Sequence, residues 1–98
     1  MKCYIGIDPG SSSGCIAAIH LDDKGNINGT FVWEFSKLTT KEWFLQLKYL
    51  ESTFHGECMA ILEKVHTMPK QGVVSAGTFM RNVGQIEMAL LALEVYGR

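Results

Sequence analysis

Cys3-Tyr4-Ile5-Gly6-Ile7-Asp8 is a short, apolar, β-prone run that closes on an acid, and Cys58-Met59-Ala60-Ile61-Leu62-Glu63 repeats that design in the second half of the chain. Each reads as a buried strand that delivers a carboxylate at its C-terminal end. Pro9-Gly10-Ser11-Ser12-Ser13-Gly14 interrupts regular structure after the first run. Cys15-Ile16-Ala17-Ala18-Ile19-His20 then resumes it, and so short a gap implies an antiparallel return. Asp22-Asp23-Lys24-Gly25-Asn26 is a polar turn, Asn28-Gly29 is a second turn signal, and Thr30 to Phe35 is aromatic and β-branched. A three-stranded meander is expected.

Thr39-Thr40-Lys41-Glu42 has the hydroxyl-then-acid spacing of a helix start. Trp43, Phe44, Leu47, Leu50 and Phe54 recur at helical spacing, which gives a helix with one apolar face through about Thr53, closed by His55-Gly56. A helix between the meander and Cys58–Glu63 lets a right-handed crossover set that strand parallel to the first. Residues 64–75 contain Pro69 and Gly72 and read as a loop. A last helix is expected from about Gly77 to Tyr96, with Gly77 and Gly84 allowing close approach. It carries two apolar stripes: Phe79, Val83, Ile86, Leu90 and Leu93 on one, Met80, Met88, Leu91 and Val95 on the other. The sequence therefore predicts an α/β fold of three antiparallel strands plus a parallel fourth, with two helices.

Composition limits what such a chain does. Its 98 residues make at most one small domain, and 47% hydrophobic with 19% charged residues is the profile of a globular chain. The net charge of −1 excludes a polycation, so a nucleic acid would be held by a local basic patch or through metal ions. Cys3, Cys15 and Cys58 form no CxxC or Cys/His cluster, which argues against zinc and for reduced thiols in the cytoplasm. Neither a leader segment nor a membrane-spanning run is visible, so no membrane partner is expected.

If the two acid-closing strands are parallel neighbours about 4.8 Å apart, Asp8 and Glu63 emerge at one edge. Two carboxylates crowded there repel, and one stays protonated unless a cation intervenes. Mg²⁺ or Mn²⁺ suits them, because these ions take one or two carboxylates and complete their shell with phosphate oxygens and water. Paired ions of this kind hydrolyse phosphodiesters. A single acid at a strand end is commonly just the solvated start of a loop. Two of them, each closing a wholly apolar run, favour a site.

Ile5-Gly6-Ile7-Asp8-Pro9-Gly10-Ser11-Ser12-Ser13-Gly14 resembles the opening motif of the RuvC-like Holliday-junction resolvases, of the ribonuclease H-like superfamily. Ala60-Ile61-Leu62-Glu63-Lys64-Val65 is similar to that family's second motif, and the loop and the Gly-containing, Ala/Leu-rich helix that follow match in order and spacing. The resemblance covers nearly the whole chain. It implies a metal-dependent endonuclease acting on branched DNA as a homodimer, with Asp8 and Glu63 as catalytic metal ligands.

Two departures stand out. Family members continue to a fifth strand and a last helix that supplies two further acids, which Glu87 and Glu94 do not match. The resemblance thus implies one RuvC-type domain over residues 1–98, incomplete at its C-terminus: as an entire protein it would have half a metal site and doubtful catalysis, and as a fragment it would come from an active Mg²⁺-dependent parent. His66 stands three positions after Glu63, where the family often has an aromatic residue that stacks on a base; a histidine also stacks, though as a weaker wedge, and a solvated loop histidine is an equal alternative. Lys64, Lys70 and Arg81, with Ser11 and Ser12 (and Ser13), are candidates to contact phosphates, though such residues are more often ordinary surface groups.

Lacking a fifth strand, Cys58–Glu63 would form an apolar sheet edge. Together with the second stripe of the last helix, that edge predicts a homodimer through residues 77–96. Two rivals share these features. One is a fragment of the phosphate-binding lobe of an actin-like ATPase or sugar kinase, which has the same core. The other is a non-catalytic interaction module descended from a nuclease.

Overall fold

The computed structural model describes residues 2–10, 12–63 and 73–97. Five strands form one mixed sheet, β1 (Lys2–Asp8), β2 (Cys15–Leu21), β3 (Ile27–Glu34), β4 (Cys58–Leu62) and β5 (Tyr96–Gly97), in the order β3-β2-β1-β4-β5. β1, β2 and β3 are the expected antiparallel meander, and β1 pairs with β4 in parallel. Helices α1 (Thr40–Thr53) and α2 (Val73–Ala92) complete the fold.

Local chemistry explains most boundaries. The Asp22 side chain accepts from the amides of Lys24 and Asn26, both at 2.9 Å, and closes the β2–β3 turn. At α1, Thr39 Oγ1 accepts from the Glu42 amide at 3.2 Å while Glu42 Oε1 accepts from the Thr39 amide at 2.8 Å, a reciprocal cap worth about 1 kcal/mol. Ile5, Ile16, Leu47, Leu50, Ile86 and Leu90 are almost wholly buried, and each contributes roughly 1.5–3 kcal/mol.

The structure corrects several sequence readings. Asn28-Gly29 is no turn: β3 begins at Ile27 and runs through it, because Gly29 leaves room for the His20 ring, whose Nε2 a β-carbon would strike. Phe35 belongs to a short 3-10 turn, Phe35–Lys37, instead of the strand, and packs edge-on against Trp43 with ring centroids 5.7 Å apart. Helix α2 starts earlier than expected and ends at Ala92, not Tyr96. The Glu94 amide donates to Leu91 and the Val95 amide to Leu90, both at 3.1 Å, with Glu94 at φ 57°. This pattern of crossed bonds at a helix end reverses the chain. Val95 therefore leaves the outer stripe and enters the core, and Tyr96–Gly97 pairs in parallel with β4, so β4 is not the sheet edge.

Both helices cover one face of the sheet. Cys3, Ile5, Ile7, Ile16, Ala18 and Ala60 point into a core shared with Trp43 and Leu47 of α1 and Ile86 and Leu90 of α2. On the opposite face Tyr4, Ile19, Val32, Met59 and Ile61 are exposed, so the strands read as buried are buried on one face only. The second stripe of α2 is open as expected at Met80, Met88 and Leu91. Among the described residues no helix is long and apolar enough to cross a membrane.

Candidate active site

Parallel pairing of β1 with β4 matches Ile7 to Leu62, and the Glu63 amide donates to the Ile7 carbonyl at 2.9 Å, which carries the ladder one step further. Asp8 and Glu63 thus stand side by side at the C-terminal rim. Alternation along each strand sets them on the face opposite the helices, in line with Tyr4 and Gly6 on β1 and with Met59 and Ile61 on β4. Both are exposed. A hydrogen bond to Asp8 and the negative charge beside it push the Glu63 carboxyl above the ordinary glutamate range. Two negative charges this close disfavour each other, and a cation between them would relieve the repulsion.

The turn after Asp8 is fixed from three sides. Gly10 adopts φ +143°, which a residue bearing a β-carbon rarely adopts, and its carbonyl accepts from the Gly14 amide at 2.9 Å. Gly14 passes so close to the end of β1 that a β-carbon there would fall on the Asp8 carbonyl oxygen. From outside the turn, the Gly14 carbonyl accepts from the Phe35 amide at 3.1 Å, and the Gly10 amide donates to Asn82 Oδ1 of α2 at 2.9 Å. Sequence reading missed Asn82. Its only signal is a lone amide within an otherwise apolar helical face.

Other predicted residues fall as follows. Arg81 is exposed on α2 and borders a cavity of about 140 Å³ that Asn82, Gln85, Thr40 and Phe35 also line. Ser12 is exposed in the β1–β2 turn. Ser11, Lys64, His66 and Lys70 lie outside the described residues. Register places Cys15 and then Glu34 across from Asp8 on β2 and β3, and Glu34 pairs with Lys37 at 3.4 Å. Among the described residues no three His, Cys, Asp or Glu side chains converge as a metal cluster. Among the described residues the donor set is two exposed carboxylates, hard oxygen ligands that fit Mg²⁺ or Mn²⁺, which complete their shells with water and phosphate.

No family model and no curated protein matches this sequence. Among solved structures, the chain is similar to Thermus thermophilus RuvC in complex with a Holliday junction substrate, at TM-score 0.62 and 14% identity over 95% of this chain and 61% of that one. A second Thermus thermophilus RuvC structure aligns at TM-score 0.49 and 18% identity over 95% of this chain and 60% of the other. The chain thus spans about three-fifths of the proteins it resembles. The first likeness shows that this chain has the RuvC-type, ribonuclease H-like fold that its two acid-closing motifs predict.

Proposed function

We propose that the chain carries the Asp8/Glu63 part of a metal-dependent endonuclease centre that hydrolyses phosphodiesters in branched DNA such as Holliday junctions. The observation that supports it is the meeting of two carboxylates at one sheet rim, in a fold shared with a protein solved on a Holliday junction. Asp8 and Glu63 would hold Mg²⁺ or Mn²⁺, which when bound activates water and stabilises the leaving oxygen.

The chain's own groups set the conditions for that chemistry. With a cation present, Asp8 and Glu63 would both serve as ionised oxygen ligands. The Gly10–Gly14 turn fixes the direction of Asp8. Arg81, with Lys64, Lys70, Ser11 and Ser12, would position phosphates, and His66 would stack on an unpaired base. With a net charge of −1, DNA binding depends on such local contacts. The exposed Met80, Met88 and Leu91 of α2 support a homodimer through this helix, in a cytoplasmic protein.

The test is a labelled four-way junction beside a linear duplex of the same sequence, with and without Mn²⁺. Mn²⁺-dependent binding of the junction in preference to the duplex is expected, weakened in Asp8→Asn and Glu63→Gln, and any nicking should be absent in both. Nicking that survives both substitutions, or Mn²⁺ affinity unaltered by either, ends the proposal. Binding of ATP instead of the junction would move the reading to an actin-like phosphate-binding lobe.

A further inference from the structure

Among the described residues, Asn82 is the one polar side chain that is buried, at 7% exposure. It stands on the face of α2 that turns Val83, Ile86, Ala89 and Leu90 inward. An apolar residue would fit that face with no polar group to satisfy. A buried amide in such a place is costly unless its hydrogen bonds are made. Asn82 Oδ1 accepts from the backbone amide of Gly10, 72 residues away in sequence, in the turn that immediately follows Asp8.

That contact lies at the start of a short chain of bonds. Gly10 is itself buried, so its N–H has little access to water as a substitute acceptor. The Gly10 carbonyl holds the Gly14 amide, and the Gly14 backbone abuts the Asp8 carbonyl. Displacement of Gly10 would therefore be felt at Asp8 with no flexible side chain between to absorb it. Phe35 anchors the far end of the same turn through the Gly14 carbonyl.

We propose that Asn82 is a positioning residue for the Asp8/Glu63 pair: by clamping the Gly10 amide, it holds the end of β1 so that the Asp8 carboxylate stays beside Glu63. The proposal rests on the metal-site reading for its consequence, while the clamp stands on the Asn82–Gly10 contact. Carboxylates that share a cation need to be held to within about 0.5 Å of their working geometry. A helix on the core side of the sheet thereby controls a site on the opposite face.

Three variants of this chain test it, each read by Mn²⁺ calorimetry and by backbone amide hydrogen exchange. Asn82→Leu keeps the branching and the number of side-chain heavy atoms and suits the apolar face but removes the acceptor. Mn²⁺ affinity should fall at least about tenfold, with faster exchange at Gly10. Asn82→Asp keeps the acceptor and should restore both. Val83→Ala cuts the neighbouring buried side chain and lowers stability, yet should leave Mn²⁺ affinity unaltered, which a merely structural role for Asn82 would not allow. Asn82→Leu binding Mn²⁺ as tightly as wild type, or Val83→Ala weakening it equally, overturns the proposal. If wild type binds no Mn²⁺, the metal reading fails separately. The clamp is then judged at the Gly10 amide and at the Glu63 amide bonded to Ile7, and unaltered exchange at both in Asn82→Leu overturns it.

Discussion

Gly14→Ala should cost this protein far more than a methyl group ordinarily does. The added β-carbon would fall on the Asp8 carbonyl oxygen and lie 2.6 Å from both the Gly10 nitrogen and the Pro9 carbonyl carbon. All three obstacles are backbone, so the turn itself must open. Overpacking of this kind costs about 1–3 kcal/mol, and an obstacle with no side chain to yield belongs at about 3. For a domain of this size, roughly 4–8 °C of Tm per kcal/mol makes that a loss of about 12–24 °C. Gly84→Ala supplies the opposite sign. A β-carbon there meets nothing within 4 Å, on an exposed turn of α2. Replacing glycine by alanine inside a helix gains about 0.8–1 kcal/mol, so Tm should rise. Thermal unfolding followed by far-UV circular dichroism reads both, and amide chemical shifts at Asp8 and Glu63 should move in Gly14→Ala alone. A Gly14→Ala protein melting with wild type, or a Gly84→Ala protein losing as much stability, would refute the argument that the first glycine is held by space and the second is not.

Four further outcomes follow from the same geometry. Asp8→Asn should return the Glu63 carboxyl toward the ordinary glutamate range in a carbon-13 titration. In wild type the folded state keeps a proton that the unfolded chain has released just above that range, so stability should decline as pH rises through this window, and urea midpoints of Asp8→Asn should lack that slope. Mn²⁺ at a hundred times its Kd should stabilise wild type by about 2.7 kcal/mol, reversed by chelator and missing in Glu63→Gln; an equal gain in both proteins would place the ion elsewhere. Glu94→Gly should raise stability by up to about 1 kcal/mol, because Glu94 holds the positive φ that closes α2; no gain in Tm would deny that strain. Leu91→Lys should convert the proposed dimer to a monomer by light scattering, and a wild-type monomer at high protein concentration would rule out an interface through exposed Leu91 of α2.

Much of the fold, and the placement of the candidate site, was legible from local pattern because the signals are local. A strand keeps one side chain per face every second residue, so an apolar run ending in Asp8 or Glu63 states both the strand and where its acid emerges. Thr39 and Glu42 announced α1 because a cap is settled within four residues, and Asp22 with Gly25 announced the β2–β3 turn for the same reason. Other signals misled. Asn28-Gly29 has turn chemistry, yet the His20 ring across the sheet decided that Gly29 should supply empty space. No glycine marks the end of α2, so its reversal at Glu94 and the fifth strand were invisible, and Val95 was assigned to the wrong surface.

By itself, then, the sequence determined the order of elements, the meander, the two acid-tipped strands and the apolar stripes of the helices. These depend on side-chain periodicity and on hydrogen bonds between near neighbours in the chain. Only the tertiary structure decided that both helices cover the same face of the sheet, that the carboxylates project from the other, and that Asn82 reaches the turn after Asp8. Each of those is a contact between residues far apart in sequence, fixed by how whole elements pack, and no short stretch of chain carries the information.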